Sequence, residues 1–269
     1  MIAWLDANGV SLRYASRGQG RQTLVLLHEM GGCLESWDAV VGELSPHVRT
    51  LAYDARGAGS SEKPVGALKI EHLTGDLKGL LDALSERAPV ILAGCAVGAA
   101  VAMRFAVQFP ERVAGLFLLA PATGVTAEQR PAILDLAARI EAEGMRARIE
   151  ERFDLSYPHE FFLGRTDRQQ VRARLLSHDP AAYARAYRML CDFDLSGDLA
   201  RINVPTRVIA GARDKTRPAA VVERVAAVIP NARFEVIDSG HAMHILSPTL
   251  VAARILDFLR EEFSTKGPG

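Results

Sequence analysis

Val90-Ile91-Leu92-Ala93-Gly94-Cys95-Ala96-Val97-Gly98 joins a short apolar run to the almost wholly apolar stretch from Ala96 to Phe109, which Pro110 ends. The first four residues, apolar on both faces, predict a strand at the centre of a parallel sheet. The stretch after the turn predicts a helix. Glycines at both ends of the turn let strand and helix approach closely and leave one side chain on a sharp, exposed corner. The corner lies at the amino end of a helix, where free N–H groups and the helix dipole favour a thiolate. Cys95 is read as that corner residue, a thiol nucleophile. Its plainer reading is a small buried hydrophobe, as most free cysteines are.

Outward from this turn the chain alternates strands and helices. Residues 3–7 and 10–15 flank Asn8-Gly9, the pair best suited to the positive φ angles of a tight hairpin. Leu24 to Leu27 and Val48 to Tyr53 read as strands, as do Val113 to Leu119, Thr206 to Ala210 and Arg233 to Ile237. His72 to Leu84 and Leu250 to Phe263 carry apolar residues at helical spacing. Ser264 to Gly269 is a tail with nothing to bury. The expected class is α/β, a mostly parallel central sheet with helices on both faces. Residues 122–196 break the alternation with helical patterns, many arginines and most of the aromatics. They predict an inserted helical lid over the carboxyl edge of the sheet, where open α/β folds bind ligands. Residues 1–121 and 197–269 then form the two parts of one core.

Bulk properties narrow the partners. Lys+Arg and Asp+Glu both number 32, so net charge is zero and nothing electrostatic favours nucleic acid. No window approaches the roughly 18 apolar residues of a membrane span, and Met1-Ile2-Ala3-Trp4-Leu5-Asp6 lacks the basic flank of a signal peptide. Cys33, Cys95 and Cys191 are odd in number and scattered, which fits free thiols in a reducing cytoplasm. His28-Glu29 and His241-Ala242-Met243-His244 lack the helical partner set of a zinc site. No phosphate-loop lysine follows Gly57-Ala58-Gly59, and no dinucleotide fingerprint follows the first strand. The sequence implies neither metal nor cofactor, and the expected partner is a small molecule.

Four motifs in order carry a resemblance. They are the His28 loop, Asp54-Ala55-Arg56-Gly57-Ala58-Gly59-Ser60, the Cys95 elbow, and Asp214 with His241. Together they resemble the lid-bearing α/β-hydrolases, which include 3-oxoadipate enol-lactonases, meta-cleavage-product hydrolases and small esterases. The resemblance covers nearly the whole chain outside the lid. The elbow is taken as G-x-S-x-G with cysteine for serine, similar to dienelactone hydrolases, or as a replaced serine. The resemblance implies that His241, in the loop after the last strand, is the base. It implies that Asp214, in Gly211-Ala212-Arg213-Asp214, is the acid that orients it. It also implies an oxyanion hole from the backbone N–H groups of Ala96 and Met30, with His28 and Arg56 structural. His244, three residues past His241, is assigned to packing or pocket lining. Glu29 stands where the family usually has glycine, and is either salt-bridged or turned to solvent, or in contact with the reacting centre.

A thiolate is itself a good leaving group, so an acyl-cysteine forms productively only when the substrate departs as a stabilised anion. The expected activity is therefore hydrolysis of a small activated ester or enol-lactone. C–C bond hydrolysis of ring-cleavage products and thioester hydrolysis are the enzymatic alternatives. From another class, a ligand-binding protein with a decayed triad fits the same residues. Phe153, Tyr157, Phe161, Phe162, Tyr183, Tyr187 and Phe193 are lid packing that could roof an apolar pocket. Arg130, Arg139, Arg165, Arg168, Arg185 and Arg188 read as solvated helix faces, one or two of them candidates to pair with a substrate carboxylate.

Overall fold

The computed structural model describes residues 2–20, 22–165 and 167–263. The tail from Ser264 to Gly269 lies outside the described residues. Eight strands form one sheet in the order β1-β2-β4-β3-β5-β6-β7-β8. They are β1 (Ile2–Ala7), β2 (Val10–Arg17), β3 (Thr23–Leu27), β4 (Arg49–Tyr53), β5 (Val90–Cys95), β6 (Val113–Leu119), β7 (Thr206–Gly211) and β8 (Ala232–Ile237). β1 and β2 pair antiparallel through a turn in which Asn8 and Gly9 have φ of 50° and 76°. β2 meets β4 antiparallel, and the remaining pairs are parallel. The architecture is the mostly parallel, doubly covered sheet expected from the sequence.

The helices are α1 (Asp38–Leu44), α2 (Ile70–Ala83), α3 (Val97–Gln108), α4 (Arg130–Glu143), α5 (Arg146–Ser156), α6 (Arg168–Leu176), α7 (Pro180–Asp192), α8 (Ala219–Val228), α9 (Met243–Leu246) and α10 (Pro248–Phe263). On one face of the sheet α2, α3 and α8 pack against Val25, Leu27, Leu92 and Leu118. On the other, α1 and α10 cover Leu24, Leu26, Ile91, Ala93 and Phe117. Strands covered on both faces need apolar residues at every position, which is why β3 and β5 show no alternation. Each fully buried leucine or isoleucine among them contributes about 1.5–3 kcal/mol relative to exposure. Between β6 and β7, α4 to α7 form a cluster of their own with Leu136, Ile140, Phe153, Tyr157 and Tyr187, closed against Ala242, Ile245 and Leu246. No helix among the described residues is long and apolar enough to cross a membrane.

Register decides where the chemistry lies. Leu27 stands opposite Gly94, so the loops leaving β3 and β5 emerge side by side. Ile209 lies opposite Leu119, and Gly211 opposite Ile237, which brings the loops after β6, β7 and β8 to the same edge. A Cβ on Gly98 would lie 2.3 Å from the Leu27 carbonyl oxygen, so no residue larger than glycine lets α3 start this close to β3.

Candidate active site

The turn between β5 and α3 places a different residue on the corner from the one the sequence suggested. Cys95 is the last residue of β5, paired across the sheet with Leu119. Its side chain is fully buried, among the residues facing α1 and α10, with Sγ 3.7 Å from the His241 carbonyl oxygen. Burial, then the carboxylates of Glu29 and Asp214, push its thiol well above the ordinary range. A thiol sealed in the interior and kept protonated is no nucleophile. The corner belongs to Ala96, whose backbone sits at φ 51° and ψ −108°. Such a conformation costs a non-glycine residue about 1–3 kcal/mol. Counted from Gly94, the middle residue of the pentapeptide is Ala96, so the assignment of Cys95 as nucleophile is corrected. The side chain at the elbow is a methyl group.

The same shift of one residue corrects the oxyanion assignment at Ala96. Its N–H donates to the Leu119 carbonyl at 2.9 Å and is unavailable to a ligand. Val97, the first residue of α3, carries an N–H with no partner in the helix. Val97 and Met30 line the same cavity as Ala96. Two consequences for Cys95 can be measured. Native protein should leave Cys95 unlabelled by iodoacetamide while denatured protein is labelled there, as peptide mapping would show. Cys95→Ala should cost about 1 kcal/mol in urea melts and leave any turnover within about twofold. A tenfold loss of turnover with the fold retained would restore the thiol to the mechanism.

His241 and Asp214 do come together. His241 Nδ1 lies 2.8 Å from Asp214 Oδ2, with both residues buried. Asp214 Oδ1 accepts the backbone N–H groups of Thr216 and Arg217, each at 2.8 Å, which fixes the carboxylate plane. Gly211 permits this geometry, because a Cβ there would lie 2.5 Å from the Gly240 carbonyl oxygen in the histidine loop. With Nδ1–H given to Asp214, Nε2 is left as the basic nitrogen of the imidazole.

A second buried assembly lies beside it. Glu29 accepts the Tyr157 hydroxyl at 2.9 Å on Oε1 and faces His244 Nε2 at 2.9 Å on Oε2. Trp37 packs on the His244 ring at a centroid distance of 4.4 Å. Burial favours the neutral acid, yet the charge and hydrogen bond of His244 hold the Glu29 carboxyl at about 2. Burial and the Glu29 charge together keep Tyr157 protonated. Glu29 is thus neither solvent-facing nor free, and His244 is its partner. His28 bonds Nδ1 to the Glu29 carbonyl at 2.7 Å and accepts the Ala55 N–H on Nε2 at 3.0 Å, tying the loops after β3 and β4. Arg56 pairs with Asp76 away from the reacting groups.

Ala96, Val97, Met30, Glu29, Tyr157 and His241 wall a cavity of about 240 Å³ under the lid. Arg148, Arg152 and Arg217 also line it, and the sequence reading named none of them. The six arginines it did name include Arg130, Arg139, Arg165, Arg168 and Arg188, which are engaged with Asp192, Glu151, Asp167, Asp154 and Glu141 in turn. Among the described residues, one group of metal-type donors, Cys33, Glu35 and Asp54, lies within 4.8 Å, but Arg13 bridges its two carboxylates.

Comparison with known proteins agrees with the fold. A model described as the Alpha/beta hydrolase family matches residues 24–254. The chain is 27% identical over 250 residues to 3-oxoadipate enol-lactonase 2 of Acinetobacter baylyi, covering 91% of each. It superposes on the enol-lactonase of Burkholderia xenovorans LB400 with a TM-score of 0.90 and 27% identity, over 96% of this chain and 99% of that one. A thermophilic esterase from Thermogutta terrifontis gives a TM-score of 0.88 and 26% identity, over 98% and 100%.

Proposed function

The chain belongs to the Alpha/beta hydrolase family and is a hydrolase of that family; on that premise we propose that it cleaves a small activated ester or enol-lactone by direct attack of water. The observation that carries this reading is a methyl-bearing elbow residue, Ala96, in the same cavity as a hydrogen-bonded His241–Asp214 pair. A methyl group cannot form an acyl-enzyme. Water is then the nucleophile, and His241 Nε2 takes its proton as the oxygen adds to the carbonyl. Asp214 holds the imidazole in the right tautomer and offsets the imidazolium charge. The N–H groups of Met30 and Val97 are the donors suited to the developing oxyanion. Collapse breaks the bond to the leaving oxygen, which recovers the proton from His241, and the acid product leaves as a carboxylate.

The preference for activated substrates survives the loss of the thiol on different grounds. A site without covalent catalysis faces the whole barrier in one addition step, and Glu29 sets a carboxylate close to the wall where the oxyanion forms. Electron-withdrawing enol and aryl oxygens make the carbonyl more electrophilic and so lower that addition barrier; simple alkoxides and amides do not. Ala96 also favours a second reading, a ligand-binding protein that has lost its chemistry. The two separate on a panel of aryl esters and enol-lactones followed by product formation and by intact mass during turnover. Steady turnover of a panel member with no acyl adduct is the expected result. Binding without turnover across the panel would favour the second reading, and an acyl adduct would overturn the first.

A further inference from the structure

Arg148 has the least exposed surface of the arginines among the described residues, and among those residues it forms no ion pair. It sits on the cavity face of α5, 5% exposed, among Met145, Ile149 and Phe153. Its Nε donates to the Tyr183 hydroxyl at 3.2 Å and its Nη2 to Ser156 Oγ at 3.1 Å. Both partners are neutral. Nη1 is buried and has no hydrogen-bond partner among the described residues. A guanidinium stays charged at any accessible pH, so burial cannot be relieved by loss of a proton.

The other charges on this wall are answered. Arg152 lies beside Glu151, and Arg217 beside Asp214, with its own Nη1 on the Ala120 carbonyl at 2.9 Å. Glu29, the one acid among the described residues lining the cavity, has its two oxygens on Tyr157 and His244. A buried charge with only neutral partners is costly unless a counter-charge joins it. The Nη1 edge is what remains of the guanidinium fork, and it matches the two oxygens of a carboxylate.

We propose that Arg148 anchors a carboxylate of the substrate at the lid end of the cavity, while the scissile carbonyl lies between Ala96 and His241. The substrates are then acid-esters or carboxylate-bearing lactones rather than neutral esters. This names the substrate class of the hydrolytic reading above and rests on it. Tyr183 and Ser156 act through Arg148, as positioning residues that hold its guanidinium against α5.

The test uses two measurements on the full-length protein. Calorimetric titration with succinate, glutarate and inorganic phosphate asks whether the site binds an anion. Rates on 4-nitrophenyl hemiglutarate and neutral 4-nitrophenyl butyrate ask whether that anion directs turnover. Arg148→Met, close in length and apolar, should weaken dicarboxylate binding and raise KM for the acid-ester by about 10–100-fold. KM for the neutral ester should rise far less than KM for the acid-ester, and Arg148→Lys should recover part of the difference. Dicarboxylate binding that depends on Arg148 in a protein without turnover would uphold the anchor and remove the hydrolytic reading. Turnover with Arg148→Met shifting both esters alike would do the reverse. Phosphate binding more tightly than either dicarboxylate would overturn the assignment to a carboxylate.

Discussion

Ala96→Ser is expected to give the protein a covalent nucleophile that it lacks. The corner backbone at φ 51° is already paid for by the fold, and the histidine–aspartate pair shares its cavity. A hydroxyl added there needs only hydrogen-bonding reach of His241 Nε2 to be activated. Removing a serine nucleophile from a complete triad costs about 10⁶-fold in one well-studied protease. The gain here should be smaller, about 10²–10⁴-fold, because the Glu29 carboxylate stays near the oxyanion wall. The readout is intact mass after exposure to a fluorophosphonate and to an aryl ester. The variant should carry one adduct at position 96, and the native protein none. A folded variant that neither reacts nor gains turnover would mean that the elbow and the imidazole are not aligned.

This result turns on a one-residue distinction that the sequence left hard to see. Cys95, Ala96 and Val97 are all small and apolar, so pattern alone does not say which of them leaves the sheet. Counting inward from Gly94 and Gly98 does, and the left-handed φ at Ala96 confirms the count. The elements around the turn were legible because their physics is local. Asn8-Gly9 dictates a hairpin, and the unbroken apolar runs of β3 and β5 dictate burial on both faces. His241 and Asp214 could be placed because each follows a strand end in a glycine-bearing loop.

The assembly around Glu29 was not legible in this way. Its partners Tyr157 and His244 lie 128 and 215 residues away, and nothing in the local pattern pairs them. Arg148 left no trace either. The residues three and four positions on are Glu151 and Arg152, the pattern of a solvated helix face, and only the packing of the lid shows that its side chain is buried. The carboxylate at position 29 and the methyl at position 96 belong together physically. Both reduce the site's capacity for acyl transfer through a tetrahedral oxyanion, and both leave the histidine base untouched.

If that base is what remains of the machinery, its removal should abolish activity while substrate still binds. His241→Ala is expected to lower kcat by about 10²–10⁴-fold, the usual contribution of a positioned general base. Asp214→Asn should come close to the same loss by a different route. The amide can donate to Nδ1 and so favours the tautomer that puts the proton on Nε2, where the base must accept one. KM should change little in either variant, because neither side chain is the carboxylate anchor. Arg148→Met should show the opposite split, in KM rather than kcat. Added imidazole should restore part of the rate to His241→Ala and none to Asp214→Asn, which keeps its ring. Unchanged kcat in both variants, with secondary structure intact by circular dichroism, would place the chemistry elsewhere in the cavity. Glu29, hydrogen-bonded to Tyr157 on that wall, is held at about 2, which makes it too weak a base to replace an imidazole.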